Sequence, residues 1–348
     1  TANDYETFIL VDVKGQTGGF RLFKKRTELT FPWFVGSVFH VKDMFEREST
    51  DMRLGDFNLT ETDKSDNTST AITPDTTEVQ LYKHDDLPEQ YTYTFKTALL
   101  LDHSSSIGRA NFEQMKQAAV KMVEQAFSGS IVSQYGAYQQ QIGVWVFWSD
   151  KKKQVIDFTN DKEALVNAIE SIDPAPKPGG SATDLYATIE ESLGLYENDF
   201  SVYNDADENT ALQEGALLVV TDGYDTIGFS DLDNVLAARD SAEKQIITVG
   251  IGDTVANDGE IRANLSDLGN LDYFLAPNPG QYVDENNTTT LLDDVMARAQ
   301  TRMENYADSF YWLEYKSPTP GQSGETDYEL TIEIDGNQNT GEKALLQS

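Results

Sequence analysis

The sequence contains no cysteine and only three histidines, His40, His84 and His103. The first absence removes disulfides, thiolate metal sites and cysteine nucleophiles together. The three imidazoles lie far apart with no HExxH spacing, which excludes the usual helical zinc hydrolase motif and leaves them ordinary packing or surface roles. Any metal in this chain therefore sits on oxygen or imidazole. Positive charge is also scarce, with 26 Lys and Arg against 59 Asp and Glu, a net charge of −33. Phosphate-led nucleic-acid binding needs clustered cations to displace counterions, so it is excluded as the main activity. An anionic membrane surface repels the chain for the same reason. No apolar run approaches the roughly 20 residues needed to span a bilayer. The chain opens at Thr1 without a signal-like segment, so a mature ectodomain or an excised part of a longer surface protein is expected.

What remains is ample for packed cores: 39% of residues are apolar and 11% aromatic. Between residues 93 and 307, short apolar runs alternate with amphipathic helical patterns, the pattern of an α/β, Rossmann-like, doubly wound and mainly parallel sheet. Thr97 to Leu101, Ile142 to Trp148, Ala216 to Thr221, Ile246 to Ile251 and Leu271 to Leu275 read as strands covered on both faces. Gln154 to Phe158 follows the second too closely for a crossover and reads as an antiparallel edge hairpin. Helical stripes follow at Phe112 to Ala126, after a cap at Asn160, and at Asp184 to Leu195, Leu232 to Glu243 and Thr290 to Tyr306. The flanks, 1–92 and 308–348, carry strand-like runs and few helix signals. They are expected to form one β-sandwich-like module from both chain termini, into which the α/β domain is inserted. Glu61 to Thr77, dominated by Asp, Ser, Thr and Asn, reads as a long exposed loop.

The chemistry concentrates where apolar runs end. Leu99-Leu100-Leu101 is followed by Asp102-His103-Ser104-Ser105-Ser106, which puts a carboxylate and two hydroxyls just beyond a buried strand. In an open α/β sheet the carboxyl ends of the strands form the binding crevice. Hard oxygen donors with few carboxylates suit a small dication that retains water. Gly179-Gly180-Ser181-Ala182-Thr183-Asp184-Leu185 adds a glycine-rich turn carrying a hydroxyl, and Val219-Val220-Thr221-Asp222-Gly223 ends another buried strand in an acid.

Together these three segments resemble the metal-ion-dependent adhesion site of the von Willebrand factor type A domain family, and the resemblance extends over residues 93–307. It implies that Asp102, Ser104, Ser106, Thr183 and Asp222 hold a cation, Mg2+ first with Mn2+ or Ca2+ as alternatives. It also implies that an Asp or Glu carboxylate of a protein partner, or a host or matrix component, fills the open coordination position. Ser181 rivals Thr183, because many relatives place the hydroxyl directly after the glycine pair. His103, at a variable position of the motif, is expected to face solvent near the metal. Tyr224 is expected to border the site, where with His103 and Ser181 it forms the group of candidate ligand contacts. The resemblance implies an extracellular or cell-surface adhesion module of bacterial type. The alternative is a scaffold subunit of a periplasmic or intracellular assembly with a structural cation.

An enzyme is not expected. No second acid follows Asp102 at the two-residue spacing of aspartate-based phosphatases, which also disfavours a metal-dependent hydrolase. Gly336 to Lys343 lacks the Lys-Ser/Thr ending of a phosphate loop. The acidic run from Asn204 to Asn209 has no EF-hand spacing and reads as a solvated loop.

Overall fold

The computed structural model describes residues 9–12, 20–30, 34–43, 47–88, 91–128, 138–175, 177, 182–198, 210–318 and 328–334. Ser181, the Asn204 to Asn209 run and the Gly336 to Lys343 segment lie outside the described residues. Two compact units divide the chain: Thr92–Asp199 with Ala211–Glu304, and Thr1–Tyr91 with Phe200–Thr210 and Asn305–Ser348.

The first unit is built on a six-stranded sheet. Its strands are β7 (Tyr91–Asp102), β8 (Tyr138–Trp148), β9 (Lys151–Thr159), β10 (Thr210–Thr221), β11 (Gln245–Ile251) and β12 (Asp272–Ala276), in the order β12-β11-β10-β7-β8-β9. β8 runs parallel to β7, β10 to β11 and β11 to β12, while β9 closes the edge antiparallel to β8, as the short apolar run after the second strand predicted. Alternation along β7 sends Ala98 and Leu100 to one face, and Leu99 and Leu101 to the other, yet all four are fully buried, so helices cover both sides. On one face Ala98, Leu100, Phe147, Leu217 and Val219 pack with helical Leu185, Ile189, Val235 and Leu265. Each of these side chains larger than Ala98 contributes about 1.5–3 kcal/mol of transfer free energy.

The helices of this unit are α1 (Gly108–Ala126), α2 (Lys162–Glu170), α3 (Leu185–Ser192), α4 (Leu232–Ser241), α5 (Asp253–Asn257), α6 (Gly259–Leu268) and α7 (Leu291–Asp308), the last ending beyond the unit boundary. α2 is capped one residue later than expected: the side chain of Asp161, not Asn160, accepts the Ala164 N–H at 3.0 Å. α5 and α6 were not anticipated, although Ile261, Leu265 and Leu268 lie on one buried stripe of α6. From β7 the chain moves to β8 on one side and later to β10 on the other, so the sheet order reverses between β7 and β10. Such a switch point opens a crevice at the carboxyl ends of those two strands.

The second unit has two four-stranded sheets. One is ordered β1 (Ile9–Asp12), β14 (Tyr328–Ile334), β4 (Phe57–Asp63), β5 (Thr68–Ile72), and the other β2 (Phe20–Thr30), β3 (Phe34–Asp43), β13 (Phe310–Lys316), β6 (Val79–Lys83). Phe39, Val41, Leu313 and Tyr315 of one meet Leu59, Ile72, Leu330 and Ile332 of the other in a single apolar cluster, which makes the pair a sandwich. β1 pairs in parallel with β14, and β13 lies antiparallel between β3 and β6.

The segment from Glu61 to Thr77 is not the expected loop. β4 and β5 form an antiparallel hairpin through it, with Leu59 opposite Ile72 and Asp63 opposite Thr68. Asn67 takes φ 58° in the turn, where the side chain of Asp66 accepts the Thr68 N–H at 2.8 Å. A hairpin with one face in water tolerates Ser and Thr on that face, so polarity alone hides it.

Candidate metal centre

Asp102 is the last residue of β7 and is fully buried. Its Oδ1 accepts the Ser104 N–H at 2.9 Å, and its Oδ2 accepts the Thr221 hydroxyl at 2.7 Å. The first bond curls the chain so that Ser104 and Ser106 turn to the same side, their hydroxyls 2.9 Å apart. From β10, Asp222 arrives opposite them. Its carboxylate is hydrogen-bonded by Ser106 and by the Tyr224 N–H, while its Oδ1 is buried without a hydrogen-bond partner among the described residues. Four of the expected residues, Asp102, Ser104, Ser106 and Asp222, are thus brought together at the switch point.

Thr183 reaches the same region by its backbone. It bridges Ser149, at the end of β8, in parallel register. Its N–H donates to the Thr226 hydroxyl at 2.8 Å, and its carbonyl accepts the Thr226 N–H at 2.8 Å. The threonine is buried, but no hydrogen bond joins its hydroxyl to the other four residues among those described.

His103 does not face solvent. The residue is 1% exposed, its ring stacks on Phe112 with centroids 3.6 Å apart, and its backbone N–H donates to the Phe147 carbonyl at 2.7 Å. The alternation that turns Asp102 and Ser104 toward the crevice turns the residue between them onto α1. Burial, with the Lys177 charge adding to it, pushes its pKa down to about 4 and keeps the imidazole neutral. Tyr224 is 37% exposed beside the crevice, as expected of a bordering residue.

Electrostatically the centre is short of positive charge. Burial, followed by the nearby Asp222 charge, raises the pKa of Asp102; burial likewise raises that of Asp222. Two buried carboxylates facing each other, with an orphan oxygen between hydroxyl donors, fit a dication. Such an ion offsets the repulsion and fills the missing contact.

Three residues without an assigned role in the sequence reading hold this arrangement. Thr221 donates to Asp102 and accepts the Gly223 N–H at 3.0 Å, locking the two strand ends together. Asp225 ties the loop after β10 to the start of α3, accepting the Tyr186 N–H at 3.0 Å and the Gly228 N–H at 2.9 Å. Thr226 clamps Thr183. Thr221 stands inside the quoted Thr-Asp-Gly string, so its position was visible, but its partner was not. Gly223 has φ 83°, and a Cβ there would come within 2.3 Å of Ile261 Cγ2, so the turn after Asp222 requires glycine.

The sequence profile of the von Willebrand factor type A domain matches residues 98–268. No curated protein sequence matches the chain. Among solved structures, proximal thread matrix protein 1 from the mussel byssus aligns with TM-score 0.44 and 16% identity over 61% of this chain and 49% of that one. The chain thus spans about half the length of the mussel protein. The vWF domain of the type V pili tip protein Mfa5 from Porphyromonas gingivalis aligns with TM-score 0.42 and 10% identity over 62% and 97%. The pilus adhesin SpaC from Lactobacillus rhamnosus GG gives TM-score 0.43 and 11% identity over 83% and 35%. With the matched residues running from β7 through α6 and the doubly wound sheet beneath them, the central domain of this chain belongs to the von Willebrand factor type A family.

Proposed function

We propose that the crevice is a metal-ion-dependent adhesion site and that the protein is an adhesion or protein-recognition module rather than an enzyme. Asp102, Ser104, Ser106, Thr183 and Asp222 hold a divalent cation, Mg2+ in first place with Mn2+ and Ca2+ as alternatives. A partner protein, or a host or matrix component, adds an Asp or Glu carboxylate. Residues 93–307 carry this activity, and 1–92 with 308–348 form a separate β-rich module. The observation that supports the reading most strongly is the buried, partnerless Oδ1 of Asp222 beside the buried Asp102 carboxylate.

The cation supplies an electrophilic centre with an open position for a carboxylate oxygen. The chain's own residues do the positioning. Thr221 and the Ser104 N–H orient Asp102, and the serine pair presents two neutral hydroxyls. A donor set of few carboxylates leaves the ion undersatisfied, so an incoming carboxylate gains a charge-assisted contact in a partly dry crevice. The negative balance of −33 raises the local cation concentration and keeps the protein soluble. The work belongs outside the cell; no helix among the described residues is long and apolar enough to cross a membrane.

Thermal unfolding in Mg2+ against EDTA tests the ion. Saturating Mg2+ at about 100 times its Kd adds about 2.7 kcal/mol of stability, and Asp102→Ala removes that response. A melting temperature indifferent to Mg2+, or equal responses from the wild type and Asp102→Ala, defeats the metal reading. Capped Asp or Glu peptides then test adhesion. Mg2+-dependent binding that EDTA reverses supports it, whereas a cation that raises only the melting temperature favours the structural-scaffold alternative.

A further inference from the structure

A cavity of about 520 Å3 adjoins the crevice, lined by Tyr186, Tyr224, Asp225, Asp258, Glu260 and Ile261 among others. The three acids differ in how they are used. Asp225 is held by the backbone N–H groups of Tyr186 and Gly228. Asp258 caps α6, its Oδ1 accepting the N–H groups of Glu260 and Ile261 at 2.9 and 3.2 Å. Both carboxylates are therefore fixed in place. Glu260 is exposed, and its carboxylate makes no hydrogen bond or ion pair among the described residues. Among the described residues, no Lys or Arg lines the cavity. The Tyr186 ring is fixed as well, its hydroxyl accepting from Asn264 Nδ2 at 3.0 Å.

Aromatic faces combined with negative charge select a cation on an aliphatic stem: the stem packs on the rings, and the charged head meets the carboxylates. A carboxylate would be repelled, and a purely apolar side chain would strip water from the acids with no compensation. The cavity is joined to the crevice through two consecutive residues. Gly223 follows Asp222 and lines the cavity, and Tyr224, which donates its N–H to the Asp222 carboxylate, lines it too. The turn between them leaves no room for a side chain at Gly223, where a Cβ would meet Ile261.

We propose that this cavity receives a Lys or Arg side chain of the same partner whose carboxylate enters the crevice, so that the recognised motif pairs an acid with a neighbouring base. The inference rests on the adhesion-site reading for the acid and on the cavity alone for the base. Tyr186, Tyr224 and Glu260 are then specificity residues, and neutral variants of the partner's base are discriminated against.

The test follows backbone amide NMR shifts of the full chain titrated with N-acetyl-arginine amide and, separately, with N-acetyl-citrulline amide, its uncharged isostere. Saturable shifts at Gly223, Tyr224 and Ile261 are expected with the arginine probe and not with citrulline. Glu260→Gln weakens the response about threefold, the scale of one exposed charge pair, and Glu260→Lys abolishes it. No saturable shift, an equal response to citrulline, or an undiminished response in Glu260→Lys overturns the proposal. Mg2+ alone, read at the Ser104 to Ser106 amides, separates the two readings. An arginine response without a Mg2+ response sinks the cation and leaves the cavity, and the converse sinks the cavity alone. Finally, in Mg2+, a capped peptide carrying Asp and Arg must bind more tightly than its citrulline analogue at one or more spacings between the two. If none does, the pairing of acid and base in one partner is wrong.

Discussion

Two buried acidic centres, one in each unit, behave in opposite ways. In the β-sandwich, Glu61 is 1% exposed and fully served: Tyr315 donates its hydroxyl at 2.8 Å and Ser317 its own at 2.7 Å. In the α/β unit, Asp102 and Asp222 are buried too, yet they face each other and leave an oxygen orphaned. Burying a carboxylate is costly, and the cost is recovered only through partners. Glu61 has its partners within the fold and reads as structure. The Asp102 and Asp222 pair is one partner short, at Asp222 Oδ1, and that deficit is what a ligand supplies. Burial by itself therefore does not identify a functional acid; an unsatisfied oxygen beside a second buried acid is the stronger pointer.

Substitutions at the two centres should change stability with opposite signs. Glu61→Ala strands the Tyr315 hydroxyl in the core and should cost about 3 kcal/mol in chemical denaturation; a loss well under 1 kcal/mol would show that the hydrogen bonds there contribute little. Asp222→Asn, by contrast, removes one of two repelling charges and should stabilise the protein in EDTA by about 1 kcal/mol while cancelling its response to Mg2+. A destabilisation in EDTA would mean that the pair is held by partners after all. A third acid sharpens the contrast at the small end. Asp284 lies in an exposed loop and accepts the Thr289 and Thr288 N–H groups and the Thr288 hydroxyl, which together lower its pKa to about 2. Because its folded value lies below the ordinary carboxylate value of about 3.9, its contribution is present above that ordinary value and is lost as pH falls through about 2. Melting curves of the wild type and Asp284→Asn should therefore differ slightly above pH 4 and converge in stronger acid. Parallel curves across that range would rule the contribution out.

Legibility followed the range of the interactions. The buried strands, the antiparallel edge and the amphipathic stripes of α1 and α7 are written in local periodicity, and the sheet contains them where expected. The Asp102, Ser104, Ser106 turn was visible because an apolar run ends there. The β4–β5 hairpin was not, since its outward Ser and Thr residues look like a loop, and its inward Leu59, Glu61 and Ile72 are meaningful only against the opposing sheet. His103 deceived for a related reason: its neighbours are polar, but the ring turns onto Phe112, which lies outside its own motif in the first turns of α1.

From residue order alone came the class of chemistry. No thiol, scattered imidazoles and a carboxylate with hydroxyls beyond a buried strand leave an oxygen-built cation site as the natural reading. Such features depend on neighbours along the chain, whose spacing backbone geometry converts directly into direction. Everything that depends on residues far apart waited for the folded chain. That holds for the Thr221 bond to Asp102 across 119 positions, for the parallel pairing of β1 with β14, and for the aromatic and acidic cavity assembled from α3, α6 and the loop after β10. Those contacts are chosen by packing and by the satisfaction of buried polar groups, which no local pattern encodes.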